Sequence, residues 1–145
     1  MPWLLLSLPI AFGLAAAATT NDPVVIRNLK EPGSLEVENT GPDIQVRWRI
    51  ETQKKKQGAW SPVASDVRLL EHCGEPPASD CIVLKHGEKP RPMAWDGYTC
   101  NRHCPPGCKG TVYLGPGEFR FVVSNCDGTR KYYGASFRLP MRRLR

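Results

Sequence analysis

The stretch Asp43–Thr52, DIQVRWRIET, sets Ile44, Val46, Trp48 and Ile50 at every second position, with Gln45, Arg47 and Arg49 between them. A period of two belongs to a strand with one face in a core and the other in water. Trp48 then reads most simply as a core residue, although a tryptophan can also anchor a partner. Upstream, Ser34–Gly41, SLEVENTG, repeats the alternation through Leu35 and Val37 and ends in an Asn-Thr-Gly turn. The two stretches together predict a hairpin.

The same grammar runs through the rest of the chain. Val24–Ile26 reads as a short first strand after the turn Asn21-Asp22-Pro23. Lys54-Lys55-Lys56-Gln57-Gly58 interrupts the pattern and reads as an exposed basic loop. The segment from Trp60 to Cys73 is extended and broken by Pro62, and Gly74–Asp80, GEPPASD, is turn chemistry. Ile82–Leu84 begins another strand. Pro90 and Pro92 confine their own segment to an edge strand or an extended loop. Thr111–Leu114 and Glu118–Ser124 read as two strands joined at Gly115-Pro116-Gly117, and Lys131–Leu139, KYYGASFRL, as a last strand. About eight short strands with turns between them, and no helical periodicity beyond the amino terminus, predict an all-β antiparallel sandwich with disulfide-clamped loops.

LGPGEFRF, Leu114–Phe121, resembles the leucine-x-proline-glycine-x-tyrosine corner that precedes an inter-sheet strand in immunoglobulin-like and fibronectin-like sandwiches. Phe119 stands where the tyrosine would be and has no hydroxyl to return to the backbone. The resemblance implies an immunoglobulin/fibronectin-like fold class and no particular function.

The amino terminus assigns a compartment. Pro2–Leu14 is an uncharged apolar run followed by Ala15-Ala16-Ala17-Ala18, the small residues that signal peptidase accepts. It is shorter than the roughly 20 residues of a helical span. Residues 1–18 are therefore expected to be a cleaved secretory signal, 19–137 the sandwich domain and 138–145 a basic tail, the product being secreted or periplasmic with no transmembrane span. All 20 Lys and Arg of the 145 residues lie beyond the signal, and the net charge is +6. Such a charge either serves solubility or attracts acidic partners.

Six cysteines, Cys73, Cys81, Cys100, Cys104, Cys108 and Cys126, make an even set for an oxidising compartment, where thiols pair. Six allow 15 pairings. Turn chemistry between Cys73 and Cys81 suggests one local clamp. If the Gly115-Pro116-Gly117 turn closes a simple hairpin, Cys108 lies near Cys126, which leaves Cys100 with Cys104. The alternative is zinc on Cys100, Cys104, Cys108 and His103, but thiolates compete with oxidation outside the cytosol and paired C-x2-C knuckles are absent. No metal or other cofactor is expected.

No nucleophile, base and orienting group stand in a catalytic signature: His72, His86 and His103 lie beside cysteines or turns, and Ser61, Ser65 and Ser124 lack a nucleophile-elbow context. The expectation is binding without catalysis. Its candidate residues are Arg91, Trp95, Tyr98, Arg102 and His103 on the proline-stiffened Pro90–Cys108 segment, with Arg142, Arg143 and Arg145 of the tail. Trp95 and Tyr98 can equally complete the end of the core, and the tail can be a solvated terminus. The expected partner is a protein, or an acidic glycan or envelope surface, and no specific nucleic acid. A second expectation is inhibition of a secreted hydrolase through the same segment.

Overall fold

The structure is a computed structural model that describes residues 22–69, 78–88, 91–100 and 111–142. Its strands are β1 (Val24–Asn28), β2 (Ser34–Asn39), β3 (Ile44–Arg47), β4 (Arg49–Lys56), β5 (Ala59–Arg68), β6 (Cys81–Leu84), β7 (Arg91–Ala94), β8 (Gly117–Ser124), β9 (Lys131–Tyr133) and β10 (Phe137–Leu139). The described chain is all-β and every pairing is antiparallel. One sheet has the order β1-β2-β7; a larger one has β10-β8-β4-β5 with β9 also on β8; β3 and β6 form a two-stranded ribbon.

Alternation builds the core that the two larger sheets share. Leu35 and Val37 of β2 and Val24 and Ile26 of β1 turn inward and meet Phe119, Phe121 and Val123 of β8, Tyr132 of β9 and Phe137 and Leu139 of β10. Leu35, Phe119 and Phe121 have no exposed surface, and burial of such side chains contributes roughly 1.5–3 kcal/mol each. On the outer side of the small sheet, Arg27 pairs with Glu36 and Glu38 across the β1–β2 ladder. The sheets are also tied at their margin, where Asn28 Nδ2 donates to Ala135 O at 2.8 Å.

The stretch DIQVRWRIET keeps its period but changes partners midway. Val46, Trp48 and Ile50 are buried, and Gln45, Arg47 and Arg49 are exposed. At Trp48 the strand leaves β6 and joins β5: Trp48 N donates to Asp80 O at 3.1 Å, and Trp48 O accepts from Leu69 N at 2.7 Å. Trp48 is 3% exposed yet stands outside the contiguous apolar cluster. The guanidinium carbons of Arg49 and Arg68 lie 4.8 and 5.4 Å from its ring centroid.

The expected hairpin between Ser34–Gly41 and Asp43–Thr52 does not form. Asn39 directs the chain out of the small sheet, its buried amide donating to Pro42 O and Leu84 O, both at 2.8 Å, while its oxygen accepts from Gly41 N. β2 pairs with β1 and β7, and β3 pairs with β6.

The three lysines are not a loop. β4 runs through Lys56 and turns in two residues, Gln57 (φ 50) and Gly58 (φ 78), into β5, the type I′ geometry that matches strand twist. Lys54 points inward, donating to Leu114 O at 2.6 Å. Pro62 sits in β5, which among the described strands pairs with β4 alone, and Pro92 sits in β7 at the edge of the small sheet. Both prolines therefore occupy edge strands, where a missing donor is tolerated.

Two further corrections concern the carboxyl-terminal half. Residues 111–114 do not pair with β8; Tyr113 bridges to Tyr98, and β8 pairs with β4, β9 and β10. KYYGASFRL divides into β9 and β10, and the latter takes Arg138 and the buried Leu139 into the domain. The expected tail thus begins inside the last strand.

With the 111–124 hairpin gone, the pairing of Cys108 with Cys126 loses its basis. Cys126 is bonded to Cys81, with a Cα–Cα distance of 5.8 Å and a separation of 45 residues. β3 gathers both ends: Cys81 pairs with Arg47, and Cys126 N donates to Gln45 O at 3.2 Å. This pairing also excludes Cys73–Cys81. No described cysteine is free.

The turn after Cys126 carries a pH-dependent contribution. Asp127 accepts from Thr129 Oγ1 at 2.7 Å and from Thr129 N at 2.9 Å, and these bonds hold its carboxyl below the ordinary aspartate value. A depressed folded pKa stabilises above the unfolded value, about 3.9, and the contribution fades as pH falls through the folded one. Thermal midpoints should therefore favour the native protein over Asp127→Ala at pH 6. That gap should narrow as the pH falls below the unfolded value of about 3.9; a pH-independent gap would contradict the assignment.

Candidate binding end

The end of the molecule beyond β7 is built around a tyrosine pair. After Ala94 the chain turns inward, so that Trp95 is buried and meets Phe119, Phe121 and Phe137 edge-on at centroid distances of 5.3, 6.2 and 6.5 Å. Its Nε1 donates to Tyr98 O at 2.9 Å. This fixes the next turn, in which Asp96 Oδ1 accepts from Tyr98 N at 3.3 Å. Leu114 N then donates to Gly97 O at 2.8 Å and Thr99 N to Val112 O at 2.9 Å, a short ladder about the Tyr98–Tyr113 bridge. Gly97 has φ +90, and a Cβ there would lie 2.6 Å from the Tyr113 ring and 2.8 Å from Leu139. Only glycine permits this approach.

The two tyrosine rings lie 5.2 Å apart, tilted by 48°. Arg142, arriving from beyond β10, sets its guanidinium carbon 5.1 Å from the Tyr98 centroid and 5.2 Å from that of Tyr113. Its Nη2 donates to Asp96 O at 3.2 Å, and Tyr113 Oη donates to Pro140 O at 2.5 Å. The residues after β10 are thereby seated on the segment that leads into Cys100, which is itself in a disulfide.

No protein-family model, curated protein or solved structure matches this chain.

The structure therefore sorts the expected binding residues itself. Tyr98 and Arg142 come together, half-buried and exposed respectively. Trp95 does not join them: it is 4% exposed and packs in the core. Arg91 lies in β7, and its side chain is outside the described residues. Arg102, His103, Arg143 and Arg145 also lie outside them, as do Cys73, Cys104 and Cys108. The oxidation of Cys100 removes one thiolate from the zinc alternative. No helix among the described residues is long and apolar enough to cross a membrane. Tyr113 escaped the sequence reading because Thr111–Leu114 looked like an ordinary strand, and nothing local signals that its partner is Tyr98.

Arg142 should act as a latch for this end. Exposed cation–aromatic contacts contribute roughly 0.5–1 kcal/mol, so Arg142→Gln should lower global stability by no more than about 1 kcal/mol. Backbone amide exchange of Thr99 and Leu114 should quicken by severalfold, because local opening becomes easier. Unchanged exchange at both amides would show that the arginine does not hold the end closed.

Proposed function

We propose that this protein is an exported, non-catalytic binding module of the cell envelope or extracellular space, with an immunoglobulin/fibronectin-like sandwich as its frame. The observation that carries the reading is the Cys81–Cys126 bond between segments 45 residues apart, with no described cysteine left free. Disulfides of this kind persist in oxidising compartments, which agrees with a signal at residues 1–18. The strand order supports the frame. With β3 and β4 taken as one interrupted strand, the first, second and a late strand form one sheet, while the third pairs with the last ones in the other, the division an immunoglobulin-like sandwich makes.

Recognition is assigned to the Tyr98–Tyr113–Arg142 end and the Pro90–Cys108 segment that it supports. The described part of that segment, residues 91–100, is held by Trp95, Asp96, Thr99 and Arg142 and loses little entropy on docking. That same stiffness supports the second reading, inhibition of a secreted hydrolase.

The decisive experiment expresses the full chain in a secreting host and assays the mature product against extracellular surfaces and against secreted proteases and glycosidases. The binding-module reading expects release with an amino terminus near residue 19, surface binding that Tyr98→Ala and Arg142→Gln weaken, and no loss of enzyme activity. Near-stoichiometric loss of one hydrolase's activity would replace it with the inhibitor. Retention in the cytosol with reduced thiols would overturn both.

A further inference from the structure

The outer face of the five-stranded sheet carries a second array, made of residues other than those of the tyrosine end. Alternation on β8 sends Phe119, Phe121 and Val123 to the core and Glu118 and Arg120 to the opposite side, where Val122 is itself fully buried. Gln53 and Lys55 of β4 share the outward side, Trp60 of β5 stands opposite Lys55, and Tyr133 of β9 stands opposite Val122. Arg120 is the centre of this face. Its guanidinium carbon lies 4.5 Å from the Trp60 centroid and 4.4 Å from that of Tyr133, and its Nε donates to Gln53 Oε1 at 2.8 Å. Gln53 is fixed in turn by a bond from its Nε2 to Glu51 Oε1 at 2.5 Å.

Two rings and an amide thus pre-organise one guanidinium, yet none of the described residues forms an ion pair with it or accepts from its Nη atoms. Lys55 and Arg138 share Glu118, each at 3.7 Å, and Lys131 reaches Glu51 at 3.5 Å. The face therefore sets four cations against two carboxylates, and Arg138 and Tyr133 are well exposed. An arginine fork of this kind suits planar recognition of an oxyanion, and a broad sheet face with several cations suits an extended polyanion.

We propose that this face docks a sulfated polysaccharide, with Arg120 taking one sulfate between Trp60 and Tyr133 and Lys55, Lys131 and Arg138 adding longer-range attraction. The charge complementarity is local as well as global, since the chain as a whole carries +6. Single-stranded nucleic acid binds by stacking bases on open aromatic faces. Here Trp60 is already engaged by Arg120 and by Lys55 at 5.7 Å, and Tyr133 by Arg120. The proposal rests on the reading that the protein works outside the cytosol, where such glycans are met.

The test uses the full oxidised chain and heparin oligosaccharides as probe, with dissociation constants measured at several salt concentrations. Arg120→Gln should weaken binding at least tenfold near 0.15 M salt and lower the salt slope by about one, as loss of one anion contact does. Lys85→Gln, an equal charge change on an exposed residue outside this face, should change binding less than twofold. Arg120→Lys keeps the charge but not the fork, and should weaken binding severalfold while leaving the salt slope near its native value. Thermal midpoints of all variants check that the fold is retained. Equal weakening by Lys85→Gln, full binding by Arg120→Lys, or equal competition by single-stranded DNA of matched charge would overturn the proposal. Surface binding through the tyrosine end without heparin affinity would remove this face and leave the proposed function standing.

Discussion

Removal of the Cys81–Cys126 bond should destabilise the domain by about 4 kcal/mol, the loop-closure entropy returned to an unfolded chain when a cross-link over 45 residues is lost. The suitable variant is the double Cys81→Ala/Cys126→Ala. A single substitution would leave an odd thiol free to exchange with the disulfide that holds Cys100. The effect should be large because the bond ties β6 and the turn after β8 together across β3, joining segments 45 residues apart. Urea unfolding of the oxidised native and double-variant proteins measures the difference. At roughly 3–4 °C per kcal/mol for a domain of this size, the thermal midpoint should fall by more than about 10 °C. A change below about 0.5 kcal/mol would mean that the unfolded chain is already constrained by its remaining bonds.

Trp95→Ala should cost about 3–5 kcal/mol, the range for emptying a buried aromatic site. Three phenylalanines from two strands of the large sheet meet this one ring edge-on, and each contact is lost at once. The backbone around it cannot close the cavity easily. Trp95 N donates to Gly33 O at 2.9 Å, and Gly33, at φ +84, brings its Cα so near that a Cβ would stand 2.2 Å from Trp95 O. Trp95→Phe should lose less, roughly 1–2 kcal/mol, since it keeps most of the packing but not the bond to Tyr98 O. Denaturant unfolding separates these outcomes. A Trp95→Ala protein of native stability but impaired binding would return the residue to the recognition surface.

The sequence revealed faces better than partners. Period-two patterning identified the buried sides of β2, of β3 and β4, and of β8, because one face of each is in the core and the other in water. Which strand lies beside which was not legible. A turn such as Asn39–Pro42 looks like a hairpin turn in sequence, yet Asn39 uses its amide to carry the chain out of the small sheet. Likewise Gly115-Pro116-Gly117 connects a bridge at one end of the molecule to a central strand. The placement of the candidate residues was illegible on the same ground. Trp95 and Tyr98 are three residues apart and both aromatic, but burial of the first and half-exposure of the second are decided by Phe119, Phe121, Phe137 and Tyr113. The Trp60–Arg120–Tyr133 array spans three strands and has no local signature at all.

The Cys81–Cys126 connection also bears on how the molecule matures. A chain made from its amino terminus exposes Cys81 long before Cys126, and in that interval Cys73, eight residues away, is the thiol that short-loop closure favours. That early bond is non-native, because Cys81 ends on Cys126. Productive oxidation must therefore either hold Cys81 in reserve until β8 and its following turn have docked on β3, or reopen the local bond by thiol exchange. The yield of oxidative refolding should accordingly follow the supply of disulfide isomerase more closely than the supply of oxidant.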